Sequence, residues 1–204
     1  MDKLIAIANS LFAIAQNGLL FTKDVFDKER YHQIQTIAAE ILANKSELTA
    51  EKILDLYNLE QGYATPKIDI RGACFKNDQI LMVKERTDGL WSLPGGWVDI
   101  NESPSQAICK EIYEESGFEA RAIKLMGVYD INKHQHPSQL PHIYKLFFIC
   151  EITGGSMKPS IETSEIDFFD QDKIPDLSLR RVVRSQIDRA YEHKNNMSLP
   201  ADFD

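Results

Sequence analysis

The sequence predicts an α+β protein in which a small all-α domain comes first. Residues 3 to about 58 repeat their apolar side chains at helical spacing, whereas short alternating apolar runs and glycine-containing turns follow from Lys67 onward. Between these regions, the stretch EQGYATP at 60–66 has the glycine and proline typical of a linker. We therefore expect a helical N-terminal domain over residues 1–62 and an α+β domain over residues 67–204.

The N-terminal domain is expected to contain successive helices. The first begins at Lys3 and should stop at Gly18, because glycine favours helix C-termini. The second begins near Asp24 or Asp27, and the third is N-capped by Thr49. Apolar stripes support both later helices, with Tyr31, Ile34, Ile37, Ala38, Ile41 and Leu42 on the second and Ile53, Leu54 and Tyr57 on the third.

The second domain is expected to open with a β-hairpin. Strands around 68–75 and 80–83 flank the pair Asn77-Asp78, which is typical of a tight turn. A helix over 104–116 follows, with Ser103 as N-cap, Gln106 completing a capping box and Gly117 ending it. Further strands are expected at 121–130, 143–151 and 165–169, and a last helix at about 179–194.

Composition limits the function. The chain carries 23 basic and 31 acidic side chains, for a net charge of −8. This balance disfavours a general nucleic-acid binder, because phosphate contacts need clustered lysine and arginine. An anionic substrate would need a cation to bridge it to the protein. Apolar residues make up 43% of the chain, which excludes general disorder and indicates a globular protein.

Cysteine spacing and hydropathy bear on the compartment. Cys74, Cys109 and Cys150 are widely separated and form no CxxC pair, so we interpret them as buried thiols in a reducing environment. No apolar run reaches the roughly 18 residues of a membrane span. The segment from Leu4 to Ala15 has helical spacing and polar interruptions, which favours a helix of the domain over a signal peptide. We expect a cytoplasmic protein with no membrane partner.

Carboxylates crowd the end of the helix predicted over 104–116. Glu114 and Glu115 lie three and four residues after Glu111, so all three share one region of the helix surface. Like charges at this spacing destabilise a helix, and binding of a divalent cation by their oxygens would offset the repulsion. A solvated acidic face is the alternative. The Pro-Gly-Gly turn at 94–96 favours a ligand site, because glycine lets the backbone approach a ligand closely.

The segment GWVDINESPSQAICKEIYEESGF at 96–118 resembles the Nudix hydrolase signature Gx5Ex7REUxEExGU, in which U is a bulky apolar residue. Lys110 stands where the family has arginine. The resemblance implies a Nudix-type α/β/α sandwich with a mixed sheet from Lys67 to roughly Arg189. The remaining fixed positions match, namely Gly96, Glu102, Glu111, Ile112, Glu114, Glu115, Gly117 and Phe118.

The resemblance also implies roles for these residues. Mg²⁺ or Mn²⁺ would be bound by Gly96, Glu111, Glu114 and Glu115. Glu102 and Lys110 would support the ligands as an ion pair, looser than one made by arginine. The general base would be Glu115, Glu114 or a loop carboxylate. Glu162 and Glu165 are the loop candidates, with Glu165 preferred, and plain exposed carboxylates are the alternative for both.

Several arginine and histidine side chains outside the segment at 96–118 could have either a functional or a structural role. Arg71, on the first strand of the second domain, is predicted to contact a substrate phosphate, with a surface arginine as the alternative. His134 and His136 could form a metal pair, but a polar surface loop is favoured. The last helix carries a basic stripe that we interpret as solvated or salt-bridged, formed by Arg180, Arg181, Arg184 and Arg189.

The function implied is metal-dependent hydrolysis of the pyrophosphate bond of a nucleoside diphosphate linked to a moiety X. CDP-choline is the preferred substrate, because the N-terminal extension resembles that of bacterial CDP-choline pyrophosphatases. Aromatic residues could form a cage for a quaternary ammonium, with Trp91, Trp97, Tyr129 and Tyr144 as candidates. ADP-ribose and UDP-sugars remain alternatives, as do trimming of RNA ends and a non-catalytic nucleotide-binding regulator. The N-terminal helices are expected to contribute to a homodimer.

Overall fold

The computed structural model describes residues 3–60, 62–137 and 141–204. The chain divides into two compact units, Met1–Thr65 and Pro66–Asp204. The linker expected at 60–66 includes Gln61, which lies outside the described residues. Each unit is described by itself below.

The first unit consists of the helices α1 (Lys3–Phe21), α2 (Val25–Ala43) and α3 (Ala50–Asn58). Asp24 caps α2 by accepting the Asp27 N–H, and Thr49 caps α3 by accepting the Lys52 N–H, as predicted. The helices enclose a small apolar core formed by Ala8, Phe12, Ala38, Ala39, Leu42 and Ile53.

Gly18 does not end the first helix, so that prediction is wrong. Helix α1 continues to Phe21, and Gly18 instead gives room to a neighbouring aromatic ring. A Cβ atom at Gly18 would lie 2.3 Å from the Tyr31 ring. The glycine is therefore explained by close helix packing rather than by its freedom at a helix end.

Because α1 extends to Phe21, its length and hydropathy reach those of a membrane-spanning helix. Lys3–Phe21 is long and apolar enough to cross a membrane by length and composition, with a mean hydropathy of 1.7. The expectation that no apolar segment reaches this length is therefore wrong. The core helix of a soluble protein and a signal sequence meet the same criterion, so α1 alone is weak evidence for a membrane span.

The described strands of the second unit form a mixed seven-stranded sheet in the order β3-β2-β1-β5-β4-β7, with β6 beside β2. Strand β1 pairs in parallel with β5, which pairs antiparallel with β4. The strands are β1 (Lys67–Lys76), β2 (Gln79–Glu85), β3 (Trp91–Ser92), β4 (Phe118–Asp130), β5 (Ile143–Gly155), β6 (Thr163–Phe169) and β7 (Asp202–Phe203).

One helix packs on each face of this sheet. Helix α4 (Pro104–Ser116) contributes Ala107, Ile108 and Ile112 to one apolar cluster, and α5 (Arg184–Asn195) contributes Ile187, Ala190 and Tyr191 to the other. The predicted α/β/α sandwich with a mixed sheet is confirmed. The cysteines are free thiols, with Cys74 and Cys150 buried, whereas Cys109 is partly exposed, contrary to expectation.

The local signals that position the site are confirmed. Asn77 and Asp78 form the hairpin turn with φ values of 50° and 65°. Helix α4 has the predicted Ser103 cap and capping box, and Gly117 ends it in the left-handed conformation.

The last helix begins later than expected. The predicted start was 179, but α5 begins at Arg184. The N–H groups of Arg181 and Val182 donate to the Ser178 carbonyl in a turn, and the Gln186 side chain accepts the Val183 N–H. Arg180 and Arg181 therefore precede the helix rather than extend its basic stripe.

Candidate active site

A glycine loop fixes the site against strand β1. Gly95 has a φ of 141°, and a Cβ atom there would lie 2.0 Å from the Ile70 carbonyl oxygen, so only glycine fits. The Gly96 carbonyl accepts the Ile70 N–H at 2.8 Å. The loop backbone is thus held on β1 and faces helix α4.

Glu115 is seated against this loop. Its side chain is only 5% exposed, and its Oε2 atom accepts the Gly95 N–H at 2.9 Å. Burial raises the pKa of Glu115 to about 8, although Arg71 and the Gly95 hydrogen bond act in the opposite direction. This carboxylate is held at a fixed position in surroundings that penalise its charge.

Glu111 lies one turn earlier on α4 and approaches the same loop. A Cβ atom at Gly96 would lie 3.0 Å from Glu111 Oε2, so the glycine leaves room for this carboxylate. Burial, followed by the charge of Glu114, raises the pKa of Glu111 to about 7. Glu114 itself is exposed.

The donor atoms of Gly96, Glu111, Glu114 and Glu115 are all oxygens, which suits a hard divalent cation. Carboxylate and carbonyl oxygens are the ligands that Mg²⁺ and Mn²⁺ prefer, and a cation would offset the burial of Glu111 and Glu115. Within the described ranges, no group of three acidic, histidine or cysteine side chains already converges as a metal cluster. The fit therefore rests on the Glu115 hydrogen bond with the Gly95 N–H and on the position of Glu111 beside Gly96, although Glu111 is not among the residues that line the cavity described below.

The predicted ion pair beside the helix is present. Lys110 Nζ donates to Glu102 Oε1 at 3.0 Å and to Asp99 Oδ2 at 3.1 Å. The second carboxylate was not predicted. A single ammonium thus ties the loop before α4 to the outer face of the helix.

A cavity of about 280 Å³ opens beside the glycine loop. Glu115 and Gly96 form part of its wall, and Trp97, which is 51% exposed, lines it as well. The other lining residues are Asp69, Arg71, Glu85, Gly95, Ile143, Lys145, Glu162, Arg180 and Arg181.

Arg71 lines the cavity but is buried rather than on the surface. Its guanidinium makes a bidentate pair with Asp69, with Nε–Oδ1 and Nη2–Oδ2 distances of 3.0 and 2.7 Å. Lys145 Nζ donates to the same Asp69 Oδ1 at 2.8 Å. Neither Asp69 nor Lys145 is predicted from the sequence as part of this site. Lys145 does interrupt an apolar row at Ile143 and Phe147, and this interruption is the signal that could have revealed it.

The two carboxylates predicted as loop candidates for the general base, Glu162 and Glu165, lie in different surroundings. Glu165 lies on β6 and pairs with Lys84 at 2.7 Å, and it does not line the cavity, whereas Glu162 does.

A further carboxylate, which the sequence does not predict, lies at the end of β2. Glu85 is buried, and its Oε1 atom lacks a hydrogen bond within the described part of the chain, although Arg181 Nε lies 2.9 Å away.

The structure does not assemble the aromatic cage. Among its four candidates in the described chain, only Trp97 lines the cavity. Trp91 packs edge-on against Phe169, Tyr129 donates to Asp202, and Tyr144 is exposed.

The remaining candidates have structural roles. The His136 ring nitrogens lie 2.7 Å from the Leu179 carbonyl and 3.0 Å from Gln186 Nε2, and burial lowers its pKa to about 4. Arg184 and Arg189 on α5 form salt bridges, as expected for the basic stripe. His134 Nε2 lies 3.1 Å from Asp204 Oδ1, so His134 and His136 contact different partners and are not arranged as a metal pair.

Comparison with known families agrees with this geometry. A model of the NUDIX domain matches residues 67–190, and a model described as UDP-X-like, N-terminal oligomerisation domain matches residues 2–57. The chain belongs to the Nudix family and is a Nudix hydrolase. Enzymes of this family act on small nucleoside diphosphate compounds and generally use divalent metal ions.

Two of the named relatives cover nearly the whole chain, and a third covers about two thirds of it. The "Putative ADP-ribose pyrophosphatase YjhB" of Bacillus subtilis is 44% identical over 97% of this chain and 95% of its own length. A crystal structure of a UDP-X diphosphatase is 31% identical, covers 98% of this chain and 97% of that chain, and has a TM-score of 0.64. An ADP-ribose pyrophosphatase structure from Streptococcus suis is 36% identical, covers 69% of this chain and 100% of that chain, and also has a TM-score of 0.64.

Proposed function

We propose that this Nudix hydrolase cleaves the pyrophosphate bond of ADP-ribose or a related nucleoside diphosphate-linked compound with Mg²⁺ or Mn²⁺. The observation that carries the proposal is Glu115, which is buried in the cavity wall and held by the Gly95 N–H. A buried carboxylate with a raised pKa beside a cavity is typical of a functional site.

The metal would be held by the Gly96 carbonyl and the carboxylates of Glu111, Glu114 and Glu115. When bound, it would neutralise charge on the phosphate oxygens and acidify a water molecule. The Gly95 N–H orients the Glu115 carboxylate, and Lys110 fixes the start of α4 through Glu102. Glu115 or Glu162 is the proposed base, because both line the cavity. Glu165 is the weaker candidate, since its carboxylate is engaged by Lys84.

ADP-ribose replaces CDP-choline as the preferred substrate. The relatives that span nearly the whole chain are named for ADP-ribose and UDP-X compounds, and only one of the four aromatic residues of the expected choline cage lines the cavity. The exposed Trp97 at the cavity could stack on a nucleobase of any of these compounds.

Steady-state hydrolysis of ADP-ribose, UDP-glucose and CDP-choline with Mg²⁺ and with Mn²⁺ tests the substrate. We expect the highest kcat/KM for ADP-ribose. A higher value for CDP-choline would reject this preference, and a lack of hydrolysis of all three would reject the proposed function.

Lys110→Arg is expected to retain or raise turnover and to tighten metal binding by up to about tenfold. A guanidinium can bond Glu102 and Asp99 with a planar fork, whereas Lys110 reaches each through a single atom. Activity and metal titration of Lys110→Arg and Lys110→Met check this. Weaker metal binding by the arginine variant would contradict the supporting role.

The N-terminal unit is proposed to form a homodimer. A reducing, cytoplasmic compartment is also proposed, because the cysteines are free thiols. The helices of the N-terminal unit expose large apolar side chains, including Ile14 at 57% and Phe26 at 68%. The family description of residues 2–57 as an oligomerisation domain supports the same role.

Ile14→Glu and Phe26→Glu are each expected to shift the protein from dimer to monomer in light scattering, because a charge in an apolar interface is costly. Ile161→Glu is the matched control, since Ile161 is 92% exposed in the second unit. Dimers that persist in both N-terminal variants would place the interface elsewhere.

A further inference from the structure

Lys145 is a buried cation of the cavity to which the catalytic scheme gives no role. It is 1% exposed on β5, with Ile143 and Phe147 buried two residues on either side. Lysine is rarely buried unless it is paired. Its Nζ atom donates to Asp69 Oδ1 at 2.8 Å, which is its one hydrogen bond within residues 3–60, 62–137 and 141–204. An ammonium carries three N–H donors, so two remain for a ligand in the cavity.

Arg71, which is predicted to hold the phosphate, uses four of its five N–H donors within the protein. Its Nε and Nη2 atoms donate to Asp69, and Nη1 donates to Ser92 Oγ and to the Leu93 carbonyl. Arg181 is likewise held, by Glu85 and Asp88. Arg180, which also lines the cavity, is exposed to solvent. Among the buried and partly buried cations of the cavity, Lys145 therefore keeps the most donors for a substrate.

The charge balance also favours an anion at Lys145. The single Asp69 carboxylate serves two buried cations, Arg71 and Lys145, so this buried triad carries one excess positive charge. Burial lowers the pKa of Lys145 to about 8, although Asp69 acts in the opposite direction. Asp69 therefore does not fully offset the burial of the ammonium, and a phosphate oxygen would supply the missing compensation.

We propose that Lys145, rather than Arg71, is a substrate-binding residue that donates a charge-assisted hydrogen bond to the diphosphate group. Arg71 becomes a positioning residue that holds Asp69. This inference rests on the proposed function, because it requires a diphosphate compound in the cavity. It assigns the recognition of phosphate to a residue outside the signature segment at 96–118.

Calorimetric titration of the full-length protein in the presence of Mg²⁺ tests the assignment without turnover. The ligands are adenosine and the α,β-methylene analogue of ADP-ribose, whose bridging carbon blocks hydrolysis and which stands for ADP-ribose in this test. Lys145→Met should weaken ADP-ribose binding by about tenfold or more, the effect of losing one hydrogen bond to a charged group. Adenosine binding should not change. The variant retains the Asp69–Arg71 pair, so we expect it to fold. Lys145→Arg should recover part of the affinity, and Lys173→Met, at an exposed lysine paired with Asp170, should bind like the wild type.

Unchanged ADP-ribose affinity in Lys145→Met would overturn the assignment, as would an equal loss for adenosine or failure of the wild type to bind ADP-ribose. Failure of the proposed function has a different signature. In that case the wild type binds the analogue but does not hydrolyse ADP-ribose with Mg²⁺ or Mn²⁺.

Discussion

Glu115→Gln is expected to lower kcat for ADP-ribose hydrolysis by about 10³-fold while leaving the protein folded. Glutamine keeps an oxygen that can accept the Gly95 N–H, and it removes the charge that the proposed metal site requires. Because burial already penalises the ionised form of Glu115, losing its charge should not destabilise the protein.

Steady-state kinetics and urea unfolding of the same preparation separate these two effects. Glu119→Gln, at an exposed position on β4, is the control and should retain activity. If Glu115→Gln kept a kcat close to that of the wild type, Glu115 would have neither a metal-binding nor a catalytic role.

Asp69→Asn is expected to have the largest effect on stability, lowering the free energy of unfolding by about 3–5 kcal/mol. The change leaves Arg71 and Lys145, which are 3% and 1% exposed, without the carboxylate that pairs with both. Burial raises the pKa of Asp69, but the charges of Arg71 and Lys145 outweigh it and hold the pKa below its ordinary value. The stabilisation is thus present at neutral pH and is lost as the pH falls through this lowered pKa.

Urea unfolding at neutral pH measures the effect. The exposed pair of Arg121 with Glu151 provides the comparison, and Glu151→Gln should cost at most about 1 kcal/mol. Equal costs for the two variants would show that the buried triad of Asp69, Arg71 and Lys145 adds nothing beyond a surface ion pair.

Local signals in the sequence predict the structure correctly where one short segment determines it. Ser103, Gln106 and Gly117 set the ends of α4, and the spacing of Glu111 and Glu115 places them one turn apart on this helix. These features depend on neighbours within a few residues, so a single sequence carries them.

Long-range contacts explain what sequence analysis missed. Gly18 depends on the ring of Tyr31 in the next helix, and Asp69, the partner of Arg71, also binds Lys145, which is far along the chain on β5. The late start of α5 comes from a turn at Ser178 that periodicity does not show. Packing between helices, an ion pair across the sheet and a backbone turn decide these cases, and hydrophobic periodicity shows none of them.

Calorimetric titration of Mn²⁺ into the wild type and into a Glu111→Gln, Glu115→Gln double variant tests the central claim most directly. The claim is that these two carboxylates, held against the Gly95-Gly96 backbone, bind the divalent cation used in catalysis. We expect saturable binding by the wild type and an affinity at least about 100-fold lower in the double variant. Equal Mn²⁺ affinity in both proteins, or no binding by the wild type, would contradict the claim.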